Sequence, residues 1–147
     1  MLSAGILCRP KDQLRVETMI TKKTEYAIRA LRELAADPHT RMTAKHVARK
    51  QDIPPKYLPQ IVSELCQAGL LYSVRGYGGG IRLGRAPEEI TLLQIIEAVQ
   101  GSPKLFECQM GNGECTNREK CAIRQIYDRA LEALRSEFQN TRLSDIR

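Results

Sequence analysis

The sequence predicts a mainly α-helical fold: a winged helix-turn-helix domain with a small two-stranded β-wing, followed by a long C-terminal dimerisation helix. Apolar residues recur at helical spacing in three short segments between positions 21 and 69. Five of the ten glycines fall between positions 76 and 84, between two short segments of strand type. An apolar stripe of helical period then extends from about Asn117 to about Asn140.

Each helix of the predicted DNA-binding domain has a start or stop signal. Thr21 and Thr43 are the predicted N-caps of the first two helices, and Asp37-Pro38 ends the first. Gly69 ends the third helix, and the strands are expected at 71–74 and 81–83. The predicted inward residues are Ala27, Ala30, Leu31, Leu34, Ala44, Val47, Ala48, Leu58, Ile61, Val62 and Leu65. A later short helix is capped by Thr91 and stopped by Gly101.

The composition is that of a globular protein, with 42% hydrophobic and 27% charged residues in 147. No apolar run approaches the ~18 residues that span a bilayer. The five cysteines are an odd number and the start lacks a secretory signal, so we expect a cytoplasmic protein. Residues 1–90 carry 15 basic against 9 acidic residues, whereas residues 91–147 carry 8 of each. This asymmetry favours a polyanion partner for the N-terminal part.

Three segments are predicted. Residues 1–18 form a disordered or upstream-extended tail, residues 19–87 form the winged helix-turn-helix domain, and residues 88–147 hold a cysteine loop and the dimerisation helices. We find no internal repeat.

The third helix is predicted to read the major groove of double-stranded DNA, which is ~12 Å wide. Its apolar face docks inward and leaves Lys56, Tyr57, Gln60 and Ser63 or Glu64 outward. Gln60 is expected to pair bidentately with adenine, and Pro59 to contact a thymine methyl group. Lys56 and Tyr57 are expected to contact phosphate or sugar.

The glycine-rich tip of the wing is predicted to enter a minor groove. Arg75 is the candidate for that contact, and Gly76 keeps the tip thin. Arg82 and Arg85 on the wing, and Lys45 and Arg49 on the second helix, suit phosphates. The segment lacks the Gly-Lys-Ser/Thr ending of a P-loop.

Cys108, Cys115 and Cys121 are candidate metal ligands in a glycine-containing segment. Thiolates gathered in this way indicate an iron–sulfur cluster. The spacing differs from the close Cys pairs of a zinc ribbon, but another single metal ion, or three incidental cysteines, remains an alternative. Cys66 is expected to be a small core residue, and Cys8 lies in the tail.

The segments TKKTEYAIRAL and KYLPQIVSELCQAGLLYSVRGYGGGIRL, with the three cysteines, resemble the Rrf2-type bacterial transcription regulators, the family of IscR, NsrR and CymR. The resemblance covers about Met19 to Asn140. It implies a homodimer with crossing C-terminal helices on a pseudo-palindromic operator. The family wing usually has an aromatic residue after the glycine pair, where this chain has Gly80 and Ile81.

The resemblance also bears on the fourth cluster ligand. IscR-like members use a His shortly after the last Cys, but this chain has no His beyond His46. NsrR-like members use an acidic residue near the start of the first helix, from the opposite protomer. Glu25 occupies the matching position. Whether the cluster is 2Fe–2S or 4Fe–4S is left open, as is an ordinary helix-start role for Glu25.

These observations predict a DNA-binding repressor whose operator affinity depends on the state of its cluster and which senses nitric oxide, oxygen or redox state. A cluster-free regulator that senses by thiol oxidation or partner binding is the alternative within the class, and a small electron-transfer protein the alternative outside it. No enzyme, membrane contact or small-molecule substrate is expected, because there is no nucleophile–base pair and no paired-carboxylate cleft.

Overall fold

The computed structural model describes residues 19–104 and 120–146. The predicted tail, with Cys8, and the segment with Cys108 and Cys115 lie outside the described residues. The described part contains five helices and one antiparallel pair of strands, in the order α1 (Lys22–Ala36), α2 (Ala44–Lys50), α3 (Leu58–Gln67), β1 (Leu71–Val74), β2 (Gly80–Leu83), α4 (Leu92–Gln100) and α5 (Ala122–Asn140). Short 3₁₀ turns occupy Pro87–Glu89 and Leu143–Asp145. The predicted fold class is confirmed.

Threonine caps start three of the helices, as the sequence predicts. The hydroxyl oxygen of Thr21 accepts a hydrogen bond from the backbone N–H of Thr24 at 3.2 Å. Thr43 and Thr91 accept equivalent bonds at the starts of α2 and α4. Each bond satisfies one of the backbone donors that a helix start leaves without an intrahelical partner.

A single hydrophobic core holds α1, α2 and α3 together. Its fully buried members include Ala27, Leu31, Val47, Ile61 and Leu65, which the sequence places inward. The same core continues into α4 and the C-terminal turn through Ile95, Val99 and Leu143. Helix α4 therefore packs against both α1 and α3. The apolar contacts thus cross the predicted boundary at position 87, and the division into two segments there stays a prediction.

The wing is a hairpin with an extra attachment. Strands β1 and β2 pair from Leu71 opposite Leu83 to Val74 opposite Gly80. Met42, just before α2, exchanges two backbone hydrogen bonds with Ile81, at 3.0 and 2.8 Å. A Cβ at Gly80 would lie 2.7 Å from the Met42 carbonyl oxygen, so only glycine fits this close approach. The wing is thus hydrogen-bonded to the segment between α1 and α2.

Helix α5 differs from its prediction at one end. It begins at Ala122, and Lys120 and Cys121 precede it outside the helix, whereas the sequence predicts a start near Asn117. None of its residues is buried within the single chain. Ile123 and Ile126 are 60% and 56% exposed, while Leu134 and Phe138 are half-buried. In the C-terminal half of α5, Arg135 makes a 3.0 Å ion pair with Glu97 of α4.

Candidate DNA interface and cysteine site

Helix α3 presents the side chains predicted to read DNA. Leu58, Ile61 and Leu65 are buried and fix its inner face. Gln60 and Pro59 are exposed on the other side. Pro59 is the second residue of the helix, where a missing N–H costs no intrahelical bond.

Tyr57 is not the free outward side chain that the sequence predicts. It is half-buried, and its ring centroid lies 5.3 Å from that of Tyr26 on α1. The Lys56 ammonium lies 5.0 Å from the centre of the Tyr57 ring. Tyr57 packs between α1 and α3, because its ring gains contact area there. Its contact with DNA stays a prediction.

Glu64 connects α3 to α1. Its Oε1 atom accepts a hydrogen bond from Lys23 Nζ at 2.9 Å and another from Gln60 Nε2 at 3.0 Å. Its Oε2 atom is buried and has no hydrogen-bond partner among the described residues. The recognition helix is therefore ion-paired to the first turn of α1.

The basic side chains predicted to contact DNA are exposed on α2 and on the wing. Lys45, Arg49 and Arg75 have no ion-pair partner within residues 19–104 and 120–146 and present their full charge to solvent. The Arg82 guanidinium lies 5.1 Å from the centre of the Tyr72 ring. Exposed cations of this kind are what a phosphate backbone requires.

The tip of the wing has the backbone geometry that its glycines predict. Gly76 has a φ of +99° and Gly78 one of +72°, both in the region that favours glycine. Tyr77, between them, is fully exposed. The tip is narrow at Gly76, next to Arg75.

The carboxylate of Glu25 lies in the first turn of α1, with two cations beside it. Its Oε2 atom accepts a 2.7 Å hydrogen bond from Lys22 Nζ, and its Oε1 atom pairs with the Arg29 guanidinium. The hydrogen bond from Lys22 lowers the pKa of Glu25 below its ordinary value, opposed by partial desolvation. The side chain is about one-third exposed. Glu25 is thus an accessible anion whose two oxygens are already occupied.

Gln100, the last residue of α4, closes the first turn of α1 from the other side. Its Oε1 atom accepts hydrogen bonds from Thr21 N at 3.0 Å and from Thr24 Oγ at 2.7 Å. Its Nε2 atom donates to the Met19 carbonyl oxygen at 2.7 Å. Sequence reasoning missed this contact, because Gln100 looks like an ordinary polar residue before a helix-ending glycine.

Cys121 is the N-cap of α5 and is half-buried. Residues 19–104 and 120–146 contain no group of three or more side chains that could hold a metal ion. Two of the three predicted thiolate ligands lie outside that part of the chain. The donor types fit an iron–sulfur cluster, since thiolates hold such clusters and carboxylates also ligate iron.

Cys66 is on α3, half-buried and in contact with the core, as predicted. Burial raises the pKa of its thiol, so the thiol stays protonated near neutral pH. His39 and His46 are exposed. No helix in the described ranges is sufficiently long and apolar for a membrane span.

Comparison with known proteins extends these observations to most of the chain. Residues 20–147 match the model of the Rrf2 family, described as an iron-dependent transcriptional regulator. The HTH-type transcriptional regulator NsrR of Geobacillus kaustophilus is 33% identical over 129 residues, covering 86% of this chain and 88% of the relative. IscR of Klebsiella pneumoniae is 32% identical over 128 residues, covering 86% of this chain and 78% of the relative.

A solved structure shows the same fold. CymR, the global cysteine regulator of B. subtilis, superposes with a TM-score of 0.69 at 30% identity, covering 86% of this chain and 94% of that one. All three similar proteins are thus regulators by name, and two of them are named HTH-type transcriptional regulators.

Proposed function

The chain belongs to the Rrf2 family of DNA-binding transcription regulators, and on this premise we propose that it is a cytoplasmic, homodimeric repressor whose operator affinity depends on an iron–sulfur cluster. The observation that carries the proposal is the double attachment of the first turn of α1. Thr24 is bonded to Gln100, which precedes Cys108 by eight positions in the sequence, and Lys23 is bonded to Glu64 on α3. The end of α4 is thus bonded to α1 and α1 to α3, and we propose that a change at the cysteines acts on the DNA reader through these contacts.

Cys108, Cys115 and Cys121 would hold the cluster as thiolates, with Glu25 of the second protomer as the fourth ligand. When bound, the cluster supplies a centre that changes state on exposure to nitric oxide, oxygen or a change of redox potential. A carboxylate ligand suits such a sensor, because it is exchanged more easily than a thiolate.

The contacts of Glu25 explain how ligand exchange would act on the protein. Lys22 and Arg29 each pair with one of its carboxylate oxygens, so a metal bound there would compete with these cations and favour the release of one of them. That release changes the ion pairs of the same helical turn that contacts Gln100 and Glu64. Two states of this turn would then differ in the placement of α3.

Homodimerisation is supported by the apolar stripe of α5. Ile123 and Ile126 are more than half exposed in the single chain, and a helix of 19 residues with such a face requires a partner surface. Two symmetric readers imply a pseudo-palindromic operator with half-sites about one DNA turn apart.

The DNA contacts follow the exposed side chains. We assign base reading to Gln60 with Pro59, a minor-groove contact to Arg75 beside Gly76, and phosphate contacts to Lys45, Arg49, Lys56, Tyr57, Arg82 and Arg85. The three residues Lys45, Arg49 and Arg75 have no competing ion pair among the described residues, which supports their assignment.

A cluster-free thiol sensor is the second candidate, because CymR shares the fold and is named a cysteine regulator. The protonated, half-buried Cys66 argues against a role for that thiol. An electron-transfer protein is not supported, because the matched family consists of transcription regulators.

Iron and sulfide analysis of anaerobically purified protein, with absorption and Mössbauer spectra, tests the proposal and distinguishes these candidates. We expect bound iron and sulfide, and operator affinities of the cluster-bound and cluster-free dimers that differ by at least ~5-fold at one salt concentration. Protein that stays iron-free after reconstitution, or equal binding by both forms, contradicts the cluster-sensing role. A Cys66→Ala variant is the control, because its thiol has no assigned ligand role.

A further inference from the structure

We propose that Glu64 is a specificity-determining residue: it holds the amide of Gln60 by its nitrogen, so that Gln60 presents its carbonyl oxygen to the major groove. This inference rests on the proposed function, because it requires α3 to contact bases. It assigns a role in base selection to a side chain that need not touch DNA itself.

The hydrogen bond between these two residues has only one possible polarity. Gln60 Nε2 lies 3.0 Å from Glu64 Oε1, one helical turn further along α3. An ionised carboxylate accepts hydrogen bonds and donates none, whereas a glutamine amide has one donor end and one acceptor end. The amide nitrogen must therefore face Glu64, and the amide oxygen must face away from it.

Lys23 fixes the position of the carboxylate. Its ammonium lies 2.9 Å from the same Oε1 atom. The side chains of Lys23 and Glu64 are only 22% and 23% exposed, so this pair between α1 and α3 is better shielded than a surface ion pair. The ammonium also offsets a negative charge that would otherwise repel the DNA backbone.

The other carboxylate oxygen of Glu64 offers no second anchor among the described residues. Glu64 Oε2 is buried and accepts no hydrogen bond from any described residue. Both donors, Lys23 and Gln60, meet at Oε1. If the Gln60 amide rotates away, Glu64 loses one of its two hydrogen bonds, which opposes the rotation.

The consequence for base selection follows from the pattern of the major groove. Adenine N6 and cytosine N4 are donors there, whereas guanine and thymine offer acceptors only. An unrestrained glutamine can turn either end of its amide toward a base. A glutamine held by one N–H directs its oxygen toward the groove, which favours the donors of adenine or cytosine over guanine and thymine, and its second N–H can still donate to adenine N7.

The test begins with selection of a preferred operator from a random duplex library, using the full-length protein. Gln60→Ala identifies the contacted base pair as the position at which base preference disappears. The four duplexes that differ at this pair are then titrated by fluorescence anisotropy with the intact protein, Glu64→Ala, Glu64→Gln and Lys23→Ala. A random-sequence duplex serves as the probe of non-specific binding.

We expect the intact protein to prefer adenine or cytosine on the contacted strand by about 10-fold or more. Glu64→Ala should reduce this ratio to less than ~3-fold while binding the random duplex as well as before. Glu64→Gln should also lower the ratio, because an amide at position 64 can donate to Gln60 as well as accept from it and so no longer fixes the orientation of Gln60. Lys23→Ala should give a ratio between those of the intact protein and Glu64→Ala, because the carboxylate keeps its bond to Gln60 but loses the cation that holds it in place.

Glu64→Met keeps the aliphatic stem without an acceptor, and it replaces Glu64→Ala if that variant fails to fold. An unchanged ratio in Glu64→Ala or Glu64→Met overturns the inference and leaves the proposed function intact. A preference of the intact protein for guanine or thymine at this pair overturns it as well. If the intact protein selects no operator, the inference and the proposed function fall together.

Discussion

The hydroxyl group of Thr24 donates a 2.7 Å hydrogen bond to Oε1 of Gln100, across 76 positions of the chain. Thr24 is fully buried at the start of α1, and Gln100 ends α4. The same glutamine oxygen accepts from the backbone N–H of Thr21. One side chain therefore fixes the start of α1 to the end of the helix that leads toward the cysteines.

Gln100→Leu should lower the free energy of unfolding by about 1–3 kcal/mol, because it removes the oxygen that accepts from both the Thr24 hydroxyl and the Thr21 backbone N–H, and only the Thr21 hydroxyl remains beside Thr24. Urea denaturation followed by circular dichroism measures the loss. Gln67→Leu is the matched control, since that exposed side chain makes only a 3.4 Å bond to Ser63. Equal stability of the two variants would show that the contact at Thr24 contributes nothing.

Glu33→Gln should destabilise the protein more at pH 7 than at pH 3. The hydrogen bond from Lys50 lowers the pKa of the buried Glu33 below its ordinary value of 4.5, with a further contribution from Gln51. A lowered pKa in the folded state contributes stability above about pH 4.5, and this stability is lost as the pH falls through the folded pKa.

The measurement for Glu33 is thermal unfolding between pH 3 and pH 7, with Glu88→Gln as a control that removes the same charge from an exposed site. We expect the melting temperature of Glu33→Gln to lie below that of the unaltered protein at pH 7, and we expect this difference to become smaller as the pH falls. A difference that is constant with pH would exclude the ionised carboxylate as its source.

Ile126→Glu should convert the proposed dimer into monomers. Ile126 is 56% exposed on the apolar stripe of α5, and a charge there would have to be buried in the interface. Gln125→Glu adds the same charge to the opposite side of the helix. Sedimentation velocity should give half the mass for Ile126→Glu only; dimers of both variants would place the interface elsewhere.

Gly80→Ala should detach the wing from the segment before α2. Its Cβ would lie 2.7 Å from the Met42 carbonyl oxygen, and such overpacking costs about 1–3 kcal/mol. We expect weaker operator binding by anisotropy and a lower melting temperature. Gly78→Asn is the control, because a Cβ there meets nothing within 4 Å and asparagine tolerates a positive φ. Full operator affinity in Gly80→Ala would show that the bridge to Met42 is dispensable.

Glu25→Ala should alter the absorption spectrum of the anaerobic protein and shorten the lifetime of that spectrum in air, because it removes the proposed carboxylate ligand. Lys22→Ala, which removes only one cation from this carboxylate, should keep the spectrum. If Glu25→Ala has the same spectrum and the same stability in air as the unaltered protein, Glu25 is not a ligand.

Local signals predicted much of the fold. Threonine caps, glycine stops and the spacing of Leu58, Ile61 and Leu65 act within a few residues, so they can be recognised without knowledge of the tertiary structure. The predicted start of α5 near Asn117 is wrong, because the polar residue types around that position are compatible with either a loop or a helix. The apolar stripe gives the period of a helix but not the residue at which it begins.

The contacts that connect the candidate site could not be predicted in this way. Lys23 and Glu64 are 41 positions apart, and each looks like an ordinary solvent-facing charge in the sequence. Their pairing depends on how α1 and α3 pack together. The exposure of the cationic residues Lys45, Arg49 and Arg75 is confirmed and needs no knowledge of tertiary contacts, whereas their contact with DNA stays a prediction.

The two hydrogen bonds between Met42 and Ile81 attach the chain segment before α2 to strand β2, on the edge that β1 does not occupy. A hairpin anchored in this way cannot swing independently of the helices beside it. If α3 reads the major groove and the wing tip enters the minor groove, as proposed, the protein fixes the distance along the duplex between these two contacts. Inserting a single base pair between these two elements of one half-site should abolish recognition, because neither element can shift to follow its target.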